Sequence, residues 1–478
     1  MIDPNSFSVD KTIWACADAT NSHGNGSKTN PFRTGGDLDL LVLGPSVRLR
    51  LLPGKYTTRG IAFGKVFILD ADSKDVTITL LPVPAATPAV SRMFCDWGNW
   101  CSFVSIRNVT LDGNYLNHPG SQTGNFKVEP ISVQTIIGEV SNVTIRNFGA
   151  AAKDYGLLGL ECFPLSLTTF ASGDRAIYDP RYSNINELTP SRLEITGCTV
   201  EKPHFTDGGY CTGIFVKASL GMDKGDRQKF GTRSSQAVLV CGNTVNVPGG
   251  ICYGAANVEK TTFVDNTGIG KCAFNLDTGV ADKLDILNNR FPDVSQGLNL
   301  CPDSGGSRIK ADGNTIVITS PFYNKVTNKF EDQWGIKAGM VGMSSASKNT
   351  FIVPSDWSES DSRVMSGIKG IGNITQHAQS NTPVITMPTD TSKINELEAK
   401  LSEVLLSSAT KIAELQKLNE KLVTELAFLS AILDTAKLNI SALEKADAAK
   451  TKVIAENQAR LAKFVEAITN ARAVFNSL

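Results

Sequence analysis

The sequence lacks several features that would point to common functional classes. Its 47 basic and 47 acidic residues cancel, so no excess charge favours nucleic acid as a partner. With four histidines and no Cys-x-x-Cys pair among ten cysteines, a zinc site is not expected, and we predict no metal or other cofactor. No apolar run is long enough to cross a membrane, so membrane insertion is not expected either.

The N-terminus also lacks a targeting pattern. Its first residues, Met-Ile-Asp-Pro-Asn-Ser, contain no basic segment followed by an apolar one, so we predict no signal peptide. A protein that is made and stays in the cytosol fits this start. A protein that leaves the host inside a virus particle when the cell lyses fits it equally well.

Residues 389–478 differ sharply in composition from the rest of the chain, because they contain no Gly, Pro, Cys, Trp, Tyr, His or Met. Alternating steps of three and four residues keep one register to the end and predict an α-helical coiled coil, which would be a rod of roughly 130 Å. A helical hairpin that turns near residues 446–451 is the alternative. The apolar positions are Ile412, Leu415, Leu422, Leu426, Leu429, Leu433, Ala436, Ile440, Leu443, Ile454, Leu461, Phe464, Ile468, Ala471, Phe475 and Leu478.

A repeat of asparagines marks the preceding part of the chain. Asn243, Asn266 and Asn289 recur every 23 residues, and Asn314 follows after 25. Each lies beside a short apolar segment, which is typical of a solenoid whose stacked coils bury a continuous core. Asparagine tolerates unusual backbone angles at a bend, and its amide can bond to the same amide one coil away.

The same pattern extends in both directions with less regular spacing. We place Asn108 and Asn147 in this ladder upstream, with Cys198 in the asparagine position, and Asn349 downstream. The pattern resembles the right-handed, single-stranded parallel β-helix of pectate-lyase-like proteins and bacteriophage tailspikes. We therefore expect a mainly β fold with a β-helix over 91–388, after a cap with first strands over 1–90. The coiled coil of 389–478 would follow it.

Other segments give local expectations. Residues 37–43 predict a short helix that plugs the end of the solenoid, and residues 150–190 and 217–236 look like inserted loops. Trp97 and Trp100 lie in one loop, where they either stack on sugars or partner chains, or pack under that loop. We interpret most cysteines as inward-pointing thiols; the alternative is a few disulfides formed after release, with Cys95 and Cys101 as the favoured local pair.

One set of residues resembles a catalytic site of this fold. Asn275-Leu-Asp277, Asp303 and Arg308-Ile-Lys310 are similar to the motifs of polygalacturonases. The departures are a Leu in place of Thr, a single Asp and no nearby histidine. Asp277, Asp303 and Lys310 are thus weak catalytic candidates, and Asn275 and Asn299 are candidate binding residues.

These features favour a structural or receptor-binding fibre of a virus particle, of the tailed-bacteriophage type. We expect a homotrimer through residues 394–478, contacts with other virion proteins and binding to a cell-surface polysaccharide. A polysaccharide depolymerase, either hydrolase or lyase, is the first alternative. An adhesion or scaffold protein is the second, and its weak point is the missing export signal.

Overall fold

A computed structural model describes most of the chain up to residue 377 and a few residues near its end. The described residues are 2–18, 24–82, 90–95, 101–119, 121, 126–151, 160–169, 192–206, 209–218, 237–256, 258, 260–276, 283–300, 308–319, 321–324, 329–339, 344–358, 362–377, 456–463, 465–466 and 469–470. The chain divides into two compact units, Met1–Ser380 and Asn381–Leu478.

The first unit is a parallel β-solenoid with three sheets, and most coils contribute one strand or part of a strand to each sheet. Its fold is therefore mainly β, as the asparagine repeat predicted. Sheet 1 contains the strands Lys11–Cys16, Ser46–Leu51, Val66–Ala71, Cys101–Arg107, Arg192–Thr196, Ala237–Cys241, Lys260–Val264, Lys283–Leu287 and Arg308–Asp312. Phe32–Arg33 pairs with its first strand.

Sheets 2 and 3 complete each coil. Sheet 2 contains Gly54–Thr58, Val76–Leu80, Thr110–Asp112, Thr144–Arg146, Thr199–Glu201, Thr315–Ile318, Thr350–Val353 and Ile374–His377. Sheet 3 contains Ile61–Ala62, Val90–Cys95, Leu160–Cys162, Leu165–Thr169, Gly209–Ala218, Trp334–Ala338 and Met365–Ser366.

Four long strands bend between two sheets. Thr244–Ala256, Thr267–Leu276 and Arg290–Leu300 join sheet 2 to sheet 3, and Phe126–Ser141 joins sheet 3 to sheet 1. The remaining elements are the short strands Gly149–Ala151 and His204–Thr206, the hairpin Tyr323–Asn324 with Lys329–Phe330, and the 3-10 turns Pro4–Ser6, Leu38–Leu40 and Tyr115–Asn117.

Alternation along each strand explains the core. In Ser46–Leu51, for example, Val47, Leu49 and Leu51 are fully buried, while the residues between them are partly exposed. Successive side chains of a strand point to opposite faces, so each coil places its apolar residues inside on top of those of the previous coil. One continuous apolar cluster therefore runs from Ile13 to Val364.

The asparagine ladder forms at the bend between sheets 1 and 2. Asn266 is typical: its Oδ1 accepts from the Asn243 backbone N–H (3.0 Å) and from Asn243 Nδ2 (2.9 Å). Its own Nδ2 donates to Asn289 Oδ1 (2.9 Å) and to the Val240 carbonyl (2.9 Å). All four bonding positions of the buried amide are satisfied, which a buried polar group requires. The same pattern recurs at Asn243, Asn289, Asn314 and Asn349 and ends at Asn373.

The register corrects the upstream end of the predicted ladder. Val109 and Val143, both buried, take the ladder position there, whereas Asn108 stands one residue earlier in a left-handed conformation (φ 56°). Asn147 (φ 54°) lies at the next bend, where it donates to Asp112. Asparagine also favours left-handed positions, so the residue type alone did not separate the two sites.

Two local predictions also change. The predicted helix over 37–43 is reduced to the single turn Leu38–Leu40. The predicted insertion 150–190 contains the sheet 3 strands Leu160–Cys162 and Leu165–Thr169, while most of 217–236 lies outside the described residues. The cysteine interpretation is confirmed for the described residues: eight of the nine described cysteines are buried, and none of the nine forms a disulfide. Cys95 and Cys101, the alternative disulfide pair, lie on sheets 3 and 1.

The second unit is described only at residues 456–463, 465–466 and 469–470, all of which are helical. The predicted coiled coil otherwise lies outside the described residues. No helix in the described ranges is both long and apolar enough to span a membrane.

Candidate functional site

The outer face of sheet 1 carries the most organised set of polar side chains. Because the strands are in register, each outward residue stands directly above its counterpart on the next coil, at about 4.8 Å. One such column defines the centre of the candidate site. In coil order it contains Glu139, Glu194, Leu239, Thr262, Asp285 and Lys310.

Residues 2–9, called here the N-terminal strap, cover the first half of this face. Ile2 packs with the outward Ile68 and Phe103 in an apolar cluster that is separate from the main core. Phe7 stacks on Phe103 with ring centroids 3.7 Å apart and planes within 3°. Arg48 donates to the Pro4 carbonyl (3.0 Å). The strap therefore shields from water a stretch of wall that would otherwise expose apolar side chains.

The N-terminal end of the strap lies over a pair of stacked carboxylates. Glu139 and Glu194 are register partners, and each is only 1% exposed. The Ile2 backbone N–H donates to Glu194 Oε2 (2.9 Å). Arg107 donates from Nε to Glu139 (3.0 Å) and also bonds to the Ile2 carbonyl (2.9 Å), while Arg192 forms an ion pair with Glu194. Strap, guanidinium groups and carboxylates thus form one network.

Two opposing effects act on Glu139. Burial raises the pKa of the Glu139 carboxyl above its ordinary value, while the hydrogen bond and charge of Arg107 lower the same pKa. The neighbouring Glu194 charge raises it further. A raised carboxyl pKa beside a second carboxylate is the arrangement from which acid–base chemistry is usually built.

Beyond the strap, the wall forms an open groove of about 380 Å³. It begins at Arg192 and Glu194 and continues over three further coils of sheet 1. The Lys283 ammonium lies 3.2 Å from Asp285. The outward side chains that line the groove are Arg192, Glu194, Ala237, Leu239, Lys260, Thr262, Lys283 and Asp285. Donors, acceptors and a small apolar patch therefore alternate along one straight surface.

Of the predicted site residues that the structure describes, Lys310 stands in the outward column of sheet 1, one coil beyond Asp285, whereas Asn275 and Asn299 do not. Asn275 and Asn299 are neighbours on sheet 3, where Asn299 Nδ2 donates to Asn275 Oδ1 (2.8 Å). Lys310 lies on sheet 1, 3.4 Å from Asp312. The structure thus places Asn275 and Lys310 on different sheets.

The other predicted side chains, Trp97, Trp100, Asp277 and Asp303, lie outside the described residues. In the described ranges, no group of three or more His, Cys, Asp or Glu residues is arranged to hold a metal ion.

Sequence reasoning missed Glu139 and Glu194, although one signal was present. Each glutamate stands three residues before a left-handed residue, Asn142 (φ 53°) and Gly197 (φ 62°) respectively. Aligning the coils on these left-handed positions would have placed the two carboxylates in one outward column. No comparable signal in the local sequence predicts where the strap lies.

Comparisons with known proteins give little further information. No protein-family profile matches the chain, and no curated protein matches it. Among solved structures, the chain is similar to the GH136 lacto-N-biosidase from Eubacterium ramulus, with 11% identity and a TM-score of 0.40 over 77% of this chain and 68% of that one. A similarity of this size supports no conclusion about fold or activity, so the solenoid is established by its own strand register.

Proposed function

We propose that this chain is a structural, receptor-binding fibre or spike protein of a virus particle, of the tailed-bacteriophage type. It is made in the host cytoplasm and becomes part of the virion. Its right-handed β-helix presents a binding wall to a host glycan or to another virion protein. Residues 389–478 form a coiled coil that joins three chains. The observation that carries the proposal is the straight polar groove on the outer face of sheet 1.

The groove has the chemistry of a carbohydrate surface. A sugar ring presents hydroxyl groups at its edge and C–H groups on its face. Lys260 and Thr262 offer donors, Asp285 on the next coil offers an acceptor, and Leu239 on the preceding coil offers an apolar contact. Because these side chains stand on strands of a stacked solenoid, their spacing is rigid, which lowers the entropic cost of binding an extended chain.

The helical residues near the C-terminus support the coiled coil. Residues 456–463 are helical, and Leu461, which occupies an apolar position of the heptad, is 63% exposed. An exposed leucine in a regular apolar stripe is the pattern of a helix that packs against other helices. This exposure supports association through residues 394–478.

Light scattering tests the assembly. The full chain, whose mass is 51.2 kDa, should give a mass near three times that value, and a 1–388 truncation should give a smaller assembly. A full-length monomer would contradict the trimer and favour the helical hairpin.

Glycan binding tests the groove. We expect the full chain to bind purified lipopolysaccharide or capsular polysaccharide of a host, and Thr262→Arg to weaken binding at least tenfold by filling the groove. Thr79→Arg is the matched control, because Thr79 is a partly exposed threonine on the outer face of sheet 2. Equal binding by both variants would place the binding surface elsewhere.

A polysaccharide depolymerase is the second candidate, and the stacked Glu139 and Glu194 favour it. Carboxylates on neighbouring coils approach the separation of about 5–5.5 Å that retaining glycosidases use. Glu139, with its raised pKa, would be the acid, and Glu194 the nucleophile. In the observed conformation the strap covers both.

Deletion of residues 1–9 tests the enzymatic candidate. The deletion should release reducing ends from these polysaccharides, and Glu139→Gln or Glu194→Gln in the same background should abolish the release. If the polysaccharide stayed intact after incubation with the deletion variant, the enzymatic candidate would be refuted and only the binding function would remain.

A further inference from the structure

Two buried cysteines of the core face each other on neighbouring coils. Cys162 ends the strand Leu160–Cys162, and its register partner on the parallel strand Gly209–Ala218 is Cys211. Both are 0% exposed and belong to the main apolar cluster. Neighbouring strands lie about 4.8 Å apart, which is within the Cα separation of about 4.4–6.8 Å that a disulfide spans.

The other cysteines of the described ranges lack this relation. The nearest comparable pair is Cys252 and Cys272, but Cys272 is in register with Ile251, so Cys252 is displaced from it by one residue. On the next coil, Cys211 faces Gly250, where an added Cβ would lie 2.9 Å from its sulfur. Cys162 and Cys211 are thus the in-register cysteine pair of the described part of the solenoid.

We propose that Cys162 and Cys211 are a redox-modifiable pair, which stays as two thiols in a reducing cytosol and becomes a disulfide in an oxidising medium. With oxidised glutathione as the oxidant, one thiolate attacks its disulfide and releases one glutathione thiolate. The second cysteine thiolate then attacks the mixed disulfide and releases the other. One S–S bond of glutathione breaks and one protein S–S bond forms, so two electrons pass to glutathione and the two cysteine protons are released.

Burial makes this reaction slow in the folded chain. Burial raises the pKa of the Cys211 thiol well above its ordinary value, and contact with Cys162 raises it further. Few thiolates are present at neutral pH, and attack requires the strands to open. We therefore expect the bond to form readily during folding in an oxidising medium and slowly afterwards.

The bond would have a measurable effect on stability. It would close a loop over residues 163–210 and reduce the freedom of the unfolded chain. For a domain of this size we expect the midpoint temperature of unfolding to rise by about 5 °C.

Peptide mapping tests the proposal on the full chain. The protein is refolded from urea with oxidised glutathione, alkylated and digested without reduction. We expect a cross-linked peptide that joins Cys162 to Cys211, together with the higher midpoint temperature. Cys162→Ala should abolish the peptide and the shift. Cys252→Ala is the matched control in the same core and should retain both.

Two results would overturn the proposal. One is alkylation of both Cys162 and Cys211 after refolding with the oxidant. The other is a cross-link of either residue to a different cysteine in place of the expected one. Because mapping is carried out on the wild-type chain, folding defects of the variants do not affect this conclusion.

Discussion

The asparagine ladder gives the sharpest test of what holds the coils together. We consider Asn266→Val, because valine occupies the same position on the coils of Val109 and Val143 and so suits the shape of the site. The change removes hydrogen bonds with little loss of packing volume. It orphans two buried donors, the backbone N–H and one Nδ2–H of Asn243, which now donate to Asn266 Oδ1.

Leaving a buried donor without a partner costs about 1–3 kcal/mol. Two donors therefore predict a loss of about 2–6 kcal/mol in the free energy of unfolding, partly offset by the transfer of an apolar side chain into the core. The Val240 carbonyl and Asn289 Oδ1 each lose one of their bonds as well. We expect a net loss of about 3 kcal/mol.

The assay is urea unfolding of the full chain, followed by circular dichroism. Asp265→Gly is the control, since Asp265 is the exposed neighbour in a left-handed conformation (φ 55°) and glycine takes its place at Gly242 and Gly313 on other coils. It should change the free energy of unfolding by less than about 1 kcal/mol. If Asn266→Val shifted unfolding no more than this control, the ladder would not stabilise the solenoid in the way described.

Three further predictions follow from single sites. Burial lowers the pKa of His118 below its ordinary value of 6.5, so the unfolded chain takes up the proton more readily than the folded chain. The stability that depends on a neutral His118 is present above about pH 6.5 and should fall as the pH drops below that value. Urea midpoints at pH 7.5 and 5.5 check this, and His118→Leu should reduce the difference. Gly297→Ala would place a Cβ 1.8 Å from a backbone oxygen of the next coil and should lower the free energy of unfolding by about 3 kcal/mol or more, which the yield of soluble protein checks. In the control Gly242→Ala, the new Cβ meets no atom within 4 Å, and the loss should be about 1 kcal/mol. Phe7→Ala removes the ring stacked on Phe103 and should speed amide hydrogen exchange of the strap while leaving exchange in sheet 2 unchanged.

The repeated parts of the fold could be predicted from the sequence because they are local. Asn243, Asn266 and Asn289 recur at one interval, and every coil between them is short enough to show the apolar alternation of its strands. Where a coil carries an insertion, the interval is lost. Asn108 and Asn147 were then aligned by residue type, and both fell at left-handed positions outside the ladder.

The candidate site was harder to predict because its parts are far apart in sequence. Glu139 and Glu194 are brought together only when the register of two coils is known. The strap that covers them comes from the N-terminus of the unit, more than 120 residues away in sequence. Its docking depends on Ile68 and Phe103, outward apolar residues that a strict inside–outside alternation would not place on the wall. Tertiary contacts of this kind leave no periodic signal in the chain.

The position of Cys198 shows why the ladder can begin where it does. At this bend, the side chain of an asparagine donates to a carbonyl of the preceding coil, three residues before the ladder position of that coil. Asn243, for example, donates to the Ile195 carbonyl (2.9 Å). The Cys198 thiol makes the equivalent contact with the Val140 carbonyl (3.4 Å), and its backbone N–H donates to Asn243 Oδ1 (2.8 Å). Burial raises the pKa of this thiol to about 12, so it keeps the proton that it donates. The cysteine therefore joins valine-based coils to asparagine-based coils with two donors: its thiol pairs with the Val140 carbonyl on one side, and its backbone N–H pairs with the Asn243 amide oxygen on the other.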